Sequence, residues 1–306
     1  MKKLILILGV GVLMIPSFQL LAQTHSEKIA KEFSFEKPGV DNAIIVANIN
    51  GDVKVEGYAG DKIILEVSKS IYAKTNERLE KGKAQIQLGV IDRADTLIFF
   101  VEGTGSQFGR KVDGRNRENR SRGEWGYDWC CNGNCNTNCN CRTEFDYKMD
   151  FVLKVPASVH LIVSTINDGD IAIANVSGAV TANNINGSIK LNKLVREVSA
   201  STINGDVDVE YSANPKKDCR FYTLNGDINA WFQRGLAASM SFESFNGSFY
   251  TNIEKLESMP VQVEKKDAPQ GVKYKVNGNR FKIGSGGAFL DFETFNGDVY
   301  LKEKTN

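Results

Sequence analysis

Thr202-Ile203-Asn204-Gly205-Asp206-Val207 contains one copy of a unit that occurs seven times: an apolar residue, Asn-Gly or a near variant, a small polar residue, then another apolar residue. The other copies are Asn48-Ile49-Asn50-Gly51-Asp52-Val53, Ile166-Asn167-Asp168-Gly169-Asp170-Ile171, Ile185-Asn186-Gly187-Ser188-Ile189, Leu224-Asn225-Gly226-Asp227-Ile228, Phe245-Asn246-Gly247-Ser248-Phe249 and Phe295-Asn296-Gly297-Asp298-Val299. Gly169, Gly187, Gly205, Gly226 and Gly247 are nearly evenly spaced. Their fixed period of about twenty residues marks a solenoid. Weaker turns at Gly178 and Arg196 fall half a period away, so each coil holds two strand-and-turn units. Alternation sends Val207 and Val209 one way and Asp206, Asp208 and Glu210 the other. Stacked coils bury the first set and solvate the second. Glycine supplies the corner without a Cβ clash, and asparagine tolerates it and can bond the adjacent backbone. A meander of hairpins is the alternative, since Asn-Gly between strands is also the strongest short hairpin signal. Equal spacing favours stacking. The expected fold is all-β: a β-helix-like solenoid, preceded by a strand-rich N-terminal part that carries a Cys-rich loop insertion.

Outward from the repeat, residues 1–22 read as a secretory signal peptide. Lys2-Lys3 supply the charged start, Leu4 to Met14 the apolar run, and Leu20-Leu21-Ala22 the small-residue cleavage site before Gln23. No Cys stands at that site, so a lipid anchor is not expected. No later stretch approaches the roughly 20 apolar residues of a membrane span, so none is expected in the mature chain. The expected location is the periplasm or the cell surface. A net charge of +1 provides no whole-chain attraction to nucleic acid or membrane.

The expected division is an N-terminal β region over 23–102, a basic, aromatic and Cys-rich insertion over 103–143, and the repeat domain over 144–306. Within the N-terminal β region we expect a short helix around Ser26 to Phe33, a polar link from Asn76 to Lys83, and strands over Ala84 to Val90 and Thr96 to Glu102. Residues 255–272 read as a loop insertion. Gly278 precedes Gly297 by one coil length, so the repeat is expected to recover there.

The insertion shows no apolar periodicity. Arg110, Lys111, Arg115, Arg117, Arg120 and Arg122 form a basic run, followed by Trp125, Tyr127 and Trp129. Basic and aromatic groups together can grip an anionic polysaccharide, lipid head groups or a protein; a solvated loop is the plain alternative. Cys130, Cys131, Cys135, Cys139 and Cys141 follow, and Cys219 lies in the repeat. In an oxidising compartment six cysteines can form three disulfides. A four-sulfur zinc site and free or redox-active thiols stay open. Cys219 either pins the insertion to the repeat or is a lone buried thiol.

The Asn-Gly-Asp units invite comparison with calcium-binding β-rolls, but the Gly-Gly-x-Gly-x-Asp pattern is missing and Ser188 and Ser248 replace the acid. His25 and His160 accompany no nucleophile motif, and no phosphate-cradling loop occurs. A carbohydrate-active β-helix enzyme would need clustered acids, for which Asp206, Asp208 and Asp227 are the candidates. No catalytic residue and no cofactor are expected.

Leu153-Lys154-Val155-Pro156, then Val163-Ser164-Thr165-Ile166, then the repeated Thr/Ser-apolar-Asn-Gly-Asp/Ser-apolar units resemble the bacterial putative-adhesin family of β-strand-repeat proteins. The head domains of putative autotransporter adhesins are similar. The resemblance covers about 150–306 well and 43–70 in part, and leaves the insertion outside. It implies an exported, all-β, β-helix-like domain and carries over no catalytic residue. The functional expectation is a non-enzymatic cell-envelope protein, an adhesin or protein-interaction scaffold whose partner is an envelope protein or surface glycan. A carbohydrate-active enzyme or a metal- or redox-responsive module is the alternative.

Overall fold

Val207, Val209 and Tyr211 are buried while Asp208 and Glu210 between them stay partly exposed. That alternation of period two is what a strand with one face on a core requires. The computed structural model describes residues 23–37, 39, 41–103, 107–110, 125–128, 144–268, 271–277 and 279–305. Among the described residues the fold is all-β apart from a single helix.

The chain runs through β1 (Gln23–Phe33), β2 (Ala43–Ala47), β3 (Val53–Tyr58), β4 (Ile63–Ala73), the helix α1 (Asn76–Gln85), β5 (Gln87–Asp92), β6 (Thr96–Glu102), β7 (Gln107–Arg110), β8 (Trp125–Asp128) and β9 (Asp146–Pro156). It continues through β10 (His160–Ser164), β11 (Ile171–Ala174), β12 (Val180–Asn183), β13 (Ile189–Leu194), β14 (Val198–Asn204), β15 (Val207–Tyr211), β16 (Cys219–Asn225) and β17 (Ile228–Phe232). The last strands are β18 (Ala238–Asn246), β19 (Phe249–Thr251), β20 (Leu256–Ser258), β21 (Gln262–Ala268), β22 (Gly271–Asn277), β23 (Arg280–Ile283), β24 (Ala288–Asn296) and β25 (Val299–Glu303).

Two large sheets form. One has the order β1-β4-β9-β3-β11-β13-β15-β17-β25-β19, the other β20-β23-β18-β24-β16-β14-β12-β10-β2-β6-β5. The strands on either side of an Asn-Gly turn, such as β12 and β13, lie in different sheets. The hairpin alternative therefore fails, because a hairpin bonds the strands that its turn joins. Each turn instead links two strands into a rung, and rungs stack in parallel: Ile171 pairs with Ile189, Ile189 with Val207 and Val207 with Ile228. Those offsets reproduce the sequence intervals between the glycines of the corresponding turns. The stacking order is β6–β9, β2–β3, β10–β11, β12–β13, β14–β15, β16–β17, β24–β25, β18–β19.

Between the sheets runs a single core. Val53, Ile171, Ile189, Val207, Ile228 and Val299 form one buried ladder, each in register with the next. Burying each such side chain stabilises the fold by about 1.5–3 kcal/mol relative to exposure. On the facing sheet Cys219 is 2 % exposed and pairs with Leu290. It therefore stands where other rungs place a buried aliphatic residue. Its neighbour Tyr211 stacks on Phe232 at 5.0 Å between ring centroids.

Antiparallel strands close both ends: β4 on β9 and β1 on β4 at one, β23 on β18 and β20 on β23 at the other. The expected helix around Ser26 to Phe33 is instead β1. Ile29 and Phe33 have helical spacing, but an eleven-residue antiparallel pairing with β4 outweighs so weak a local preference. Buried Lys69, opposite Glu27, holds β1 by an ion pair at 2.9 Å and donates to the Ile86 carbonyl at 3.1 Å. The expected polar link from Asn76 to Lys83 is the helix α1. Thr75 caps it, its Oγ1 accepting from the Arg78 N–H at 3.3 Å, and Glu77 and Lys83 complement its ends. The helix extends to Gln85, so the strand expected from Ala84 begins only at Gln87. Within 255–272, read as a loop, lie β20, β21 and the start of β22, the last two paired as an antiparallel ribbon. Val276 and Asn277 belong to that ribbon, Gly278 lies outside the described residues, and the rung pattern resumes at β24.

Burial pushes the Tyr147 and Tyr211 hydroxyls well above the usual tyrosine range, and Cys219 beside Tyr211 adds to the second shift. A phenol whose folded pKa is raised stabilises the fold fully below its unfolded pKa and loses that contribution as pH rises toward the folded value. Tyr127 is shifted up by burial in the same way, so stability is expected to fall above about pH 10, by roughly 1.4 kcal/mol per pH unit for each of these buried tyrosines. Urea unfolding at a series of alkaline pH values checks this, and a flat midpoint across that range would refute it.

Candidate functional site: the Asn-Gly edge and its outer apolar column

Every position of the repeated unit has a separate task at the edge where the two sheets meet. The residue just before the unit's apolar residue points inward and donates its side chain to a glycine carbonyl of the neighbouring rung. Thr165, Asn184, Thr202, Thr223 and Thr294 do so to Gly51, Gly169, Gly187, Gly205 and Gly226, at 2.8–3.3 Å. The asparagines form a second ladder in the order Asn50, Asn167, Asn186, Asn204, Asn225, Asn296, Asn246, each amide donating to the side-chain oxygen before it at 2.8–3.5 Å. The residue after glycine forms a third: Asp52, Asp170, Ser188, Asp206, Asp227 and Asp298 each accept the backbone N–H of the same position one rung on, at 2.7–3.3 Å. At one end Lys148 bridges Asp52 and Asp150, at 3.5 and 3.1 Å.

Glycine is required because the rungs touch. At Gly226, with φ +156°, a Cβ would stand 2.1 Å from the Gly205 carbonyl oxygen. Only a missing side chain lets that oxygen meet the Thr223 hydroxyl. Asp168 is an extra residue in its rung and takes φ 47°, a conformation that aspartate tolerates.

The apolar residue before each asparagine faces outward. Ile185 and Ile203 are each 38 % exposed, Phe295 44 % and Phe245 74 %. With partly buried Leu224 they line the outside of consecutive rungs, and Phe245 stacks on Phe295 at 4.8 Å with an interplanar angle of 4°. At the other end the column goes under cover. Ile49 is buried with Ile45, Ala47, Ile98, Phe100 and Tyr127, and Ile166 packs against that cluster.

The cover is the ribbon β7–β8 of the insertion. Phe108 stacks on Phe100 at 4.3 Å, and Trp125 lies behind Phe108 at 5.9 Å. The Tyr127 hydroxyl accepts from the Val101 N–H at 2.8 Å and lies 2.9 Å from the Ala47 carbonyl oxygen. Burial raises its pKa far above the usual range. The Arg93 guanidinium sits 5.0 Å over the Trp125 ring. Phe108, Trp125 and Tyr127 thus fasten the β7–β8 ribbon to the outer sheet face. Arg110 lies on β7 opposite Trp125. Lys111, Arg115, Arg117, Arg120, Arg122, Trp129, Cys130, Cys131, Cys135, Cys139 and Cys141 lie outside the described residues.

Cys219 is a free, buried thiol with the Tyr211 hydroxyl 3.2 Å away, and burial pushes its pKa up. The carboxylates of Asp206 and Asp227 each hold the backbone of the next rung, while Asp208 accepts from the Asn229 amide at 2.9 Å. His160 accepts the Ala179 N–H on Nδ1 at 3.1 Å. These groups work between rungs. Sequence reasoning misses the outward column, yet it holds one signal: Val198, Ala200 and Thr202 share a parity, which leaves Ile203 on the opposite face.

No family model matches the sequence, and no curated protein matches it. Two solved structures are similar in outline. One is a putative cell adhesion protein from Clostridium sporogenes, 11 % identical, covering 92 % of this chain and 100 % of its own, with a TM-score of 0.42. The other is a putative adhesin from Bacteroides fragilis, 13 % identical, covering 91 % of this chain and 97 % of its own, with a TM-score of 0.32. At these scores the likeness carries no argument about this chain.

Thr223→Val keeps the shape but removes the hydroxyl that meets the Gly205 carbonyl, and is expected to cost about 1–2 kcal/mol. Gly226→Ala is expected to cost at least about 2 kcal/mol, because it adds both a positive-φ strain and a backbone clash. Equilibrium denaturation of both variants tests the ladder, and a Gly226→Ala protein as stable as the parent would refute it.

Proposed function

We propose that this chain is an exported, non-enzymatic cell-envelope protein: a β-helix-like solenoid that acts as a rigid scaffold for adhesion or protein contact. The observation that carries the reading is the outward column Ile185, Ile203, Leu224, Phe295 and Phe245. Solvent-facing apolar residues aligned on successive rungs form a contiguous strip of the kind that marks interaction surfaces. Export is supported by the charged, apolar and small-residue pattern of residues 1–22. A non-enzymatic role is supported by what the repeated acids do, since Asp206 and Asp227 both bond the backbone of the adjacent rung. The basic run from Arg110 to Arg122 is a second contact element in this proposal, carried on the insertion that Phe108, Trp125 and Tyr127 anchor.

The test is capture of envelope components by the full chain and by an Ile203→Asn/Phe245→Ser variant. Both positions are exposed, so circular dichroism and Tm are expected to stay close to the parent. Capture is expected to fall at least tenfold and to be insensitive to salt, because apolar contact is not screened. Equal capture by the variant would remove the column from the proposal. Capture that vanishes at high ionic strength would move the contact to the basic run. Cleavage of an offered envelope glycan would overturn the non-enzymatic reading.

A further inference from the structure

Chain order and stacking order part company at both ends: β2–β3 lies between β6–β9 and β10–β11, and the second departure is at the C-terminal end. β18–β19 follows β17 in the sequence, yet the rung seated on β16–β17 is the C-terminal β24–β25, with β18–β19 outside it. The two rungs read ASMSFESFNGSFYT (238–251) and AFLDFETFNGDVYL (288–301), identical at seven of fourteen positions. They are also in register, from Ala238↔Ala288 to Asn246↔Asn296. What β16–β17 asks of a neighbour is a phenylalanine against Phe221, a hydroxyl for the Gly226 carbonyl, an amide for Asn225 and an acid for Arg220. The C-terminal rung supplies Phe292 at 5.0 Å, Thr294 at 3.3 Å, Asn296 at 2.8 Å and Glu293 at 3.0 Å. β18 carries the same set as Phe242, Ser244, Asn246 and Glu243. One difference favours the observed order: Asp291 also faces Arg220, at 3.8 Å, where β18 has Ser241.

We propose that the place between β16–β17 and β18–β19 is an exchangeable docking site whose other occupant is the C-terminal rung of a second copy of this chain. Withdrawing β24–β25 breaks two rung contacts, but β18–β19 can then settle on β16–β17 and remake one of them. Opening costs one contact rather than two, so the chain has a low route to a state with its last rung free. The residues that fit the vacated place are those of 288–301, which every copy carries. Fully extended, the connection over residues 252–287 spans on the order of 100 Å; that reach also requires β23 to leave β18 and β20, pairings that are remade once the exchange is complete. Reciprocal exchange restores every contact of the closed chain, the condition for domain swapping.

The test uses full-length chains. Tyr222 and Glu293 are register partners across the site, at a spacing that suits a disulfide. A Tyr222→Cys chain mixed with a Glu293→Cys chain is expected to give a covalent heterodimer under mild oxidation, increasing with concentration. Each variant alone and the parent serve as controls for the native cysteines. The Tyr222→Cys/Glu293→Cys chain is expected to cross-link internally. Ser241→Asp places a carboxylate beside Asp291 and gives β18 a second acid for Arg220, so it is expected to raise the heterodimer yield several-fold. Internal cross-linking without a heterodimer above the controls would overturn the proposal, as would failure of the internal cross-link or a Ser241→Asp yield no higher than that of the parent background.

Discussion

The glycine carbonyls of the Asn-Gly edge are the constraint on which the rest depends. Those of Gly51, Gly169, Gly187, Gly205 and Gly226 each accept a hydroxyl or amide from the neighbouring rung, as Gly205 does from Thr223 at 2.8 Å. Two rungs approach that closely only where no Cβ stands between them. The approach fixes the spacing of both sheets at the corner, and with it the registers of the buried ladder from Val53 to Val299. An isolated side-chain hydrogen bond contributes about 1 kcal/mol. The same bond repeated along the edge does more than add up, because it admits only one way of stacking each rung on the next.

The edge also explains the fate of polar groups that look chemical in a sequence. A motif rich in Asn and Asp at a turn suggests ligands or acids. Here the asparagine amides bond one another, and the carboxylates of Asp52, Asp170, Asp206, Asp227 and Asp298 are taken by backbone N–H groups one rung away. Parallel rungs place like side chains above like, so a repeated polar residue satisfies itself. The feature left over is apolar: the outward column that begins under Phe108, Trp125 and Tyr127 and ends at Phe245.

Much of this is legible in the order of residues. The intervals between glycines reappear as the register offsets, and alternation assigns Val207 and Val209 to the core. Other elements are not legible. Ile29 and Phe33 have a spacing that suits a helix, and only the free edge of β4 makes them strand. Thr75-Asn76-Glu77 carries a helix start, but its polar run reads as a link when no apolar face accompanies it. The insertion reads as separate from the repeat, although Phe108, Trp125 and Tyr127 lie on its sheet.

The sequence by itself determined the repeating rung, its period, its corner residues and its inward face, because these follow from local geometry repeated at a fixed interval. Tertiary structure alone decided which rung lies next to which. Residues 238–251 and 288–301 are so alike that local preference cannot order them. The C-terminal rung sits inside because contacts between distant residues, Arg220 with Asp291 and the strand β23 on β18, exist only once the chain has folded back on itself.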